Sequence, residues 1–160
     1  MIAMYRLLNI AVTACLCGLV FSQCQKHWIY HGHSCFYFSS DTTDWYQASG
    51  KCREHNSVLA LIQSKDVSDW IDNKIKGHNV AYYVGASDEF VEGTWEWAFS
   101  GEPVTLSNWA SGQGQGTNAD ANCLVIYNKD PNVRGTWYDE KCTHLYNFIC
   151  QQSASVPVVG

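Results

Sequence analysis

Six cysteines follow the apolar N-terminal stretch: Cys24, Cys35, Cys52, Cys123, Cys142 and Cys150. An even set in a short exported chain reads as a disulfide framework, and thiols consumed in bridges leave no cysteine nucleophile. His27, His31 and His33 are a close group of imidazoles, a residue type that binds zinc or copper. They fall in a predicted hairpin with no carboxylate close in sequence, so they read as turn residues. No Gly-x-Ser-x-Gly, His-Glu-x-x-His or phosphate-loop pattern occurs. Glycines and polar residues dominate from Phe99 to Asn122. The chain reads as a binding module and not as an enzyme.

The elements that must position these groups are legible in part. Trp28-Ile29-Tyr30, a His-Gly turn and Cys35 to Phe38 form a predicted two-stranded entry, and the Cys24 to Cys35 spacing suits a local staple. Asp41 to Asp44 offer N-caps, and Trp45, Ala48 and Cys52 recur on one face, which predicts a helix from about Asp44 to His55. Ser64 caps a second helix with Val67, Trp70, Ile71 and Ile75 as its buried stripe and Gly77 as its stop. The pattern then turns to strands: Ala81 to Ala86, Thr94 to Trp97, Cys123 to Tyr127, Thr136 to Tyr138 and Tyr146 to Cys150. Phe99 to Asn122 is expected to be one long loop, and long loops in compact domains tend to carry function. Two helices, several short strands and a long loop predict an α+β domain.

Residues 1–22 read as a secretory signal peptide: Arg6 supplies the positive start, Leu7 to Phe21 the apolar run, and Val20 and Ser22 the small residues before a cut. The run is short of the ~20 residues of a spanning helix, which argues against an anchor. Cys15 and Cys17 would leave with it, so the mature chain keeps an even six. Residues 23–152 then form the domain and 153–160 a loose tail. The formal net charge is −5 with no basic run, which disfavours nucleic acid as a partner. No N-x-Ser/Thr site is present.

The cysteine framework, with Gly85-Ala86-Ser87-Asp88 and Glu92-Gly93-Thr94-Trp95-Glu96-Trp97 near its middle and Gly135 to Asp139 before Cys142, resembles the C-type lectin-like domain from about Cys24 to Cys150. Six cysteines allow 15 connectivities, and sequence alone does not choose among them. The resemblance implies a disulfide-stapled α+β fold of two helices and short antiparallel strands with a long binding loop, with bridges Cys52–Cys150 and Cys123–Cys142 and Cys24–Cys35 as the staple of the long form. It also implies where a calcium and sugar site belongs. Calcium-dependent members supply a Glu-Pro-Asn or Gln-Pro-Asp triplet after an Asn-Trp pair, an acid two residues before the third framework cysteine, and a Trp-Asn-Asp motif before the next.

Here the matching positions are Gln113-Gly114-Gln115 after Asn108-Trp109, then Ala121, then Trp137-Tyr138-Asp139. The family's cis proline is absent, a non-proline cis bond costs roughly 2.5–4 kcal/mol, and Gly114 is expected to make the loop flexible. Glu102-Pro103 precedes Asn108-Trp109 and falls where the family has a structural turn. Asp139 is the one anionic ligand in register, with Asp120 one residue off the acidic position and Asn118 and Asn122 adding amides. Calcium wants six to eight oxygens, so such a set would hold it weakly, near the millimolar end. Asp139 could equally close a strand end by hydrogen bonding, and Trp95, Trp97, Trp109 and Trp137 read as core.

The candidate ligand contacts are Gln113, Gln115, Asn118, Asp120, Tyr138 and Asp139, with the amides and carboxylates meeting sugar hydroxyls and Tyr138 stacking on a sugar face. The sequence thus points to a secreted lectin-like protein that recognises carbohydrate or a glycan-bearing surface. The tyrosine-valine-glycine-alanine-serine-aspartate strand with its Glu-Gly-x-Trp-x-Trp continuation also resembles perlucin-type proteins of molluscan shell matrix. That resemblance implies association with calcium carbonate and matrix polysaccharide. Innate immune recognition of microbial surfaces fits the same plan. With all six cysteines paired within the chain, no covalent dimer is expected.

Overall fold

The computed structural model describes residues 24–128 and 135–154. The expected signal peptide, residues 1–22, and residues 155–160 of the expected tail lie outside them.

Strands β1 (Ile29–His31) and β2 (Ser34–Phe38) form the entry hairpin. Gly32 and His33 both take positive φ, 50° and 69°, as a two-residue turn matched to strand twist requires. Cys24–Cys35 staples it. Helix α1 (Trp45–Glu54) begins at Asp44, whose side chain accepts from the Gln47 amide at 2.8 Å. It buries Trp45, Ala48 and Cys52 and ends with Lys51 and Arg53 in its last turn, where cations suit the helix dipole. Strand β3 (Val58–Leu59) follows. Helix α2 (Lys65–Ile75) is capped by Ser64 and buries Ser68, Ile71 and Ile75, with Val67 and Trp70 half-buried beside them. Gly77, at φ 89°, lets the chain leave it.

Strand β4 (Ala81–Ser87) is the centre of the molecule. It pairs antiparallel with β5 (Glu96–Trp97) and with β7 (Cys123–Tyr127), and parallel with β9 (Asn147–Ser153). Strand β6 (Glu102–Pro103) extends the sheet from β5, β8 (Thr136–Glu140) extends it from β7, and β9 also pairs with β2 and β3. Successive strand residues face opposite sides. Tyr82, Val84 and Ala86 of β4, with Leu124 and Ile126 of β7, join α2's Ile71 and Ile75 and three tryptophans in one core. Ala81 and Tyr83, with Cys123 and Val125, join α1's Trp45, Ala48 and Cys52 in the other. These strands are buried on both faces, which is why Tyr82 to Ala86 and Leu124 to Ile126 read as near-continuous apolar runs. The bridges are Cys24–Cys35, Cys52–Cys150 and Cys123–Cys142.

Three expectations are corrected. The strands are not all antiparallel: β4 and β9 run parallel at Tyr82↔Asn147 and Tyr83↔Phe148, because the long stretch between them supplies the crossover that a parallel pair needs. Glu102-Pro103 is a strand and not only a turn, pairing with Trp97 and Glu96, so the expected loop is interrupted at its start. Proline is tolerated there because β6 is a sheet edge. The last strand continues through Ser153, the first residue assigned to the tail.

Asp72 of α2 is half-buried against the chain at Gly135, where a Cβ would lie 2.3 Å from the carboxyl carbon. Burial pushes this carboxyl up to about 6, Asp69 adding to the rise and Lys65 opposing it. An unfolded aspartate titrates near 3.9, so the folded state holds the proton more tightly and loses stability as pH rises from about 4 to about 6. Asp72→Asn is therefore expected to stabilise the domain by about 1 kcal/mol near pH 8, the linkage discounted for partial exposure, and by almost nothing near pH 4. Urea unfolding at both pH values measures this.

Candidate functional site

Between β6 and β7 the chain forms a loop with little sheet of its own, and tryptophan rings set its shape. Trp109 forms an isolated parallel bridge with Trp137, through Trp137 N–H to Asn108 O at 2.9 Å and Ala110 N–H to Trp137 O at 3.0 Å. Its ring lies 4.7 Å from that of Trp95 and 5.7 Å from that of Trp137. Gly114 sits on this ring: a Cβ there would approach it to 2.5 Å. The Gly114 N–H donates to Asp139 Oδ2 at 3.1 Å, its carbonyl accepts from Trp95 Nε1 at 3.2 Å, and the Asp139 N–H donates to Gln113 Oε1 at 3.3 Å. Gly114 was expected to loosen the loop. It instead permits a close approach that fixes it, because no residue with a side chain fits against Trp109.

A second turn buttresses the loop. Asp88 Oδ2 accepts from the Gly93 N–H at 2.9 Å, and Gly93 packs on Gly116 so closely that a Cβ on Gly116 would lie 2.7 Å from Gly93 N. The Asp88 N–H donates to Asn122 O at 3.3 Å, next to the Ser87↔Cys123 pair.

Four of the six expected contacts, Gln113, Asn118, Tyr138 and Asp139, line one polar cavity of about 350 Å³. Asp120 lines a neighbouring hollow of about 310 Å³ beside Tyr46 and pairs with Lys141 at 3.0 Å. Gln115 is exposed on the loop and lines neither. The Tyr138 ring packs 4.6 Å from Tyr127, so part of its stacking surface is already used. The cavity also takes in Glu140, Lys141 and His144, with His144 Nδ1 3.2 Å from Glu140 Oε2. Their signal lay in the sequence as the continuation of Tyr138-Asp139 through Cys142, whose bridge to Cys123 holds this segment at the loop base.

At the sugar-site positions the residues do not fit calcium. Gln113 Oε1 and Asp139 Oδ2 are taken up by backbone N–H groups, Ala121 offers no side-chain oxygen, and calcium needs six to eight. Two oxygens one turn away are left open. Asp88 is 2% exposed, its Oδ1 has no hydrogen-bond partner, and Asn122 Oδ1 is likewise buried without one. Burial raises the Asp88 carboxyl, the Gly93 N–H opposes this, and Asp139 adds to the rise. Glu92 is exposed, and its carboxyl is raised too, first by desolvation and then by the charges of Asp88 and Asp139. Asp88 and Glu92 were read only as parts of the resemblance. Among the described residues no three His, Cys, Asp or Glu side chains gather as a metal-holding group.

The histidine group is dispersed in the same way. His31 finds a carboxylate on another element, Asp66 at 2.8 Å, and stacks on Trp70 at 4.5 Å. It locks the entry hairpin to α2.

Residues 41–152 match the Lectin C-type domain family. The chain belongs to this family. The lectin domain is 30% identical over 143 residues to human C-type lectin domain family 4 member E, covering 88% of this chain and 64% of that one. It is 31% identical over 121 residues to perlucin of Haliotis laevigata, covering 74% and 76%. It superposes on the mouse scavenger receptor C-type lectin carbohydrate-recognition domain with a TM-score of 0.72 at 28% identity, covering 84% of this chain and 100% of that one. The chain spans less than two thirds of the length of the first curated relatives it matches.

Gly112 and Gly114 both take positive φ, 82° and 69°, but a Cβ on Gly112 meets nothing within 4 Å. Gly112→Ala is expected to cost about 1 kcal/mol of backbone strain. Gly114→Ala should add roughly 1–3 kcal/mol from overpacking on Trp109. Denaturant unfolding followed by tryptophan fluorescence separates the two.

Proposed function

We propose that this lectin domain is a secreted, non-enzymatic carbohydrate-binding protein whose loop cavity meets sugar hydroxyls directly, without a calcium bridge at Asp139. The carrying observation is the closure of the loop on itself through Gly114, Gln113 and Asp139. That closure orders the cavity and spends the oxygens a bridging calcium would take. Asn118, Tyr138, Glu140 and His144 then supply donors and acceptors to a hydroxyl-rich ligand. Its partners would be carbohydrate or glycoconjugate, with no nucleic acid. No helix among the described residues is long and apolar enough to cross a membrane.

Calcium has a different place in this reading. Asp88, Asn122 and Glu92 would hold it and so neutralise the buried Asp88 carboxylate, weakly because the anionic ligands are few. The likeness to perlucin supports a second reading, an extracellular matrix protein associated with calcium carbonate and matrix polysaccharide. Immune recognition of microbial surfaces is a third, and bacterial agglutination by the mature protein separates it from both.

On a glycan array, binding is expected to survive chelator. Asn118→Ala and Tyr138→Ala should each weaken it about fivefold, the worth of one net hydrogen bond. Loss of all binding in chelator would sink the direct-contact reading.

Calcium at millimolar levels is expected to raise the melting temperature of the wild type and not of Asp88→Asn. Without calcium, Asp88→Asn should melt higher than the wild type, since it relieves a buried carboxylate. Calorimetric titration of both proteins gives the same comparison. A calcium response lost in Asp139→Ala but kept in Asp88→Asn would move the cation back to the sugar-site positions.

A further inference from the structure

A hollow larger than the loop cavity lies away from the loop. A cleft of about 430 Å³ opens where the end of α1 meets β3 and β9, lined by Arg53, Asn56, Val58, Leu61, Phe99 and the Gln151 to Ser153 strand end. A smaller cavity of about 150 Å³ continues from it past Val58 and Phe99 to Trp45, Gly85 and Ala98. Neither shares a lining residue with the loop cavities.

Two side chains give this cleft a chemistry. Arg53 is the only arginine among the described residues, and its guanidinium has neither an ion pair nor a hydrogen bond among them. Lys51 of the same helix is by contrast paired with Asp41, Lys65 with Asp69 and Lys141 with Asp120. A free planar fork in a cleft matches a carboxylate or sulfate bidentately. Phe99 is 72% exposed on a backbone pinned on either side: Ala98 N–H bonds to Gly85 O at 2.8 Å, and the Ser100 and Gly101 N–H groups both return to Trp97 O. An exposed aromatic on a pinned backbone offers its ring to the apolar face of a sugar. The side chains of Gln151 and Gln152 are committed to Leu61, Ser34 and Gln25, so they form a firm wall.

The geometry points to this cleft as a second binding site, for an anionic saccharide whose carboxylate or sulfate ester pairs with Arg53 while a ring lies on Phe99. A peptide fits less well. Peptide recognition by strand addition needs an unpaired sheet edge. Here β3 is paired with β9 at Val58 and Leu59, and Ala60 bonds to Ile149 O on one side and accepts from Gly85 N–H on the other. The chain's net charge of −5 opposes general attraction of anions, so capture would depend on the local guanidinium. The site stands apart from the loop reading and can succeed or fail without it.

The test measures binding of the disulfide-intact chain, with chelator present, to polygalacturonate, dextran sulfate, uncharged dextran and polyglutamate. Tighter binding of one or both anionic saccharides than of dextran is expected, and the stronger of the two identifies carboxylate or sulfate as the partner. Arg53→Gln should weaken it about tenfold, the worth of a charged hydrogen bond. Arg53→Lys should restore part of the loss, and Phe99→Ala should weaken binding several-fold. Lys51→Gln serves as the charge control. Equal losses for Lys51→Gln and Arg53→Gln would reduce the effect to diffuse charge and overturn the proposal. So would tighter binding of polyglutamate than of either saccharide, or no binding at all.

Discussion

Strand β4 has no exposed side-chain face except at Ser87, and that constraint organises everything around it. A seven-residue strand buried on both faces must be covered by a helix on each side and paired along both edges. Alpha-1 covers the side of Ala81 and Tyr83, and α2 covers that of Tyr82, Val84 and Ala86. Edge pairing brings β7 to one side and β9 to the other at Tyr82 and Tyr83. Two polar groups forced into this interior are satisfied in place: Tyr83 donates to the Lys141 carbonyl at 2.8 Å, and Trp45 Nε1 to Val84 O at 2.9 Å. Cys52–Cys150, 98 positions apart in the sequence, fixes α1 to β9 across this strand. Closing so long a loop in the unfolded chain is worth about 4–5 kcal/mol, more than the local staple at Cys24–Cys35 can give.

What the sequence made legible follows from how local each signal is. The helix caps at Asp44 and Ser64 act within four residues, and both hold in the structure. Alternation and apolar runs identified β4, β7 and the last strand, because burial on both faces leaves a compositional trace. Beta-6 left none: two residues, one of them proline, carry too little pattern to be separated from loop. The parallel β4–β9 contact was hidden for another reason. Strand direction is decided by the path of the intervening chain and not by the residues that pair. His31 shows the same limit for side chains, since its carboxylate partner Asp66 lies 35 residues away on another element.

The loop was legible as a place and not as an arrangement. Residue types located Gln113, Asn118, Tyr138 and Asp139, and the structure brings those four to one cavity. What the residue types could not show is that two of them face inward to the backbone. Whether an amide or a carboxylate serves a ligand or its own loop depends on which N–H groups lie within reach, here those of Asp139 and Gly114. Gly114 was the least legible of all. A glycine in a loop is by default a source of freedom, and only the Trp109 ring beneath it turns it into a packing requirement.

These contacts bear on how such a loop can recognise anything. A loop ordered by a cation is rigid only while the cation is bound, and part of the ligand's binding energy is spent on ordering it otherwise. Here the order comes from within: Trp109 between Trp95 and Trp137, Gly114 tied to Asp139 and Trp95, and Gly93 seated on Gly116. The charges of Asp88 and Glu92 are each opposed by that of Asp139, and Asp88 is held by the Gly93 N–H. A loop braced by rings and backbone bonds can tolerate that repulsion without a metal, and binding a cation to Asp88 would then change its stability more than its shape. Recognition and cation binding become separable functions of neighbouring residues, which in a calcium-bridged site they are not.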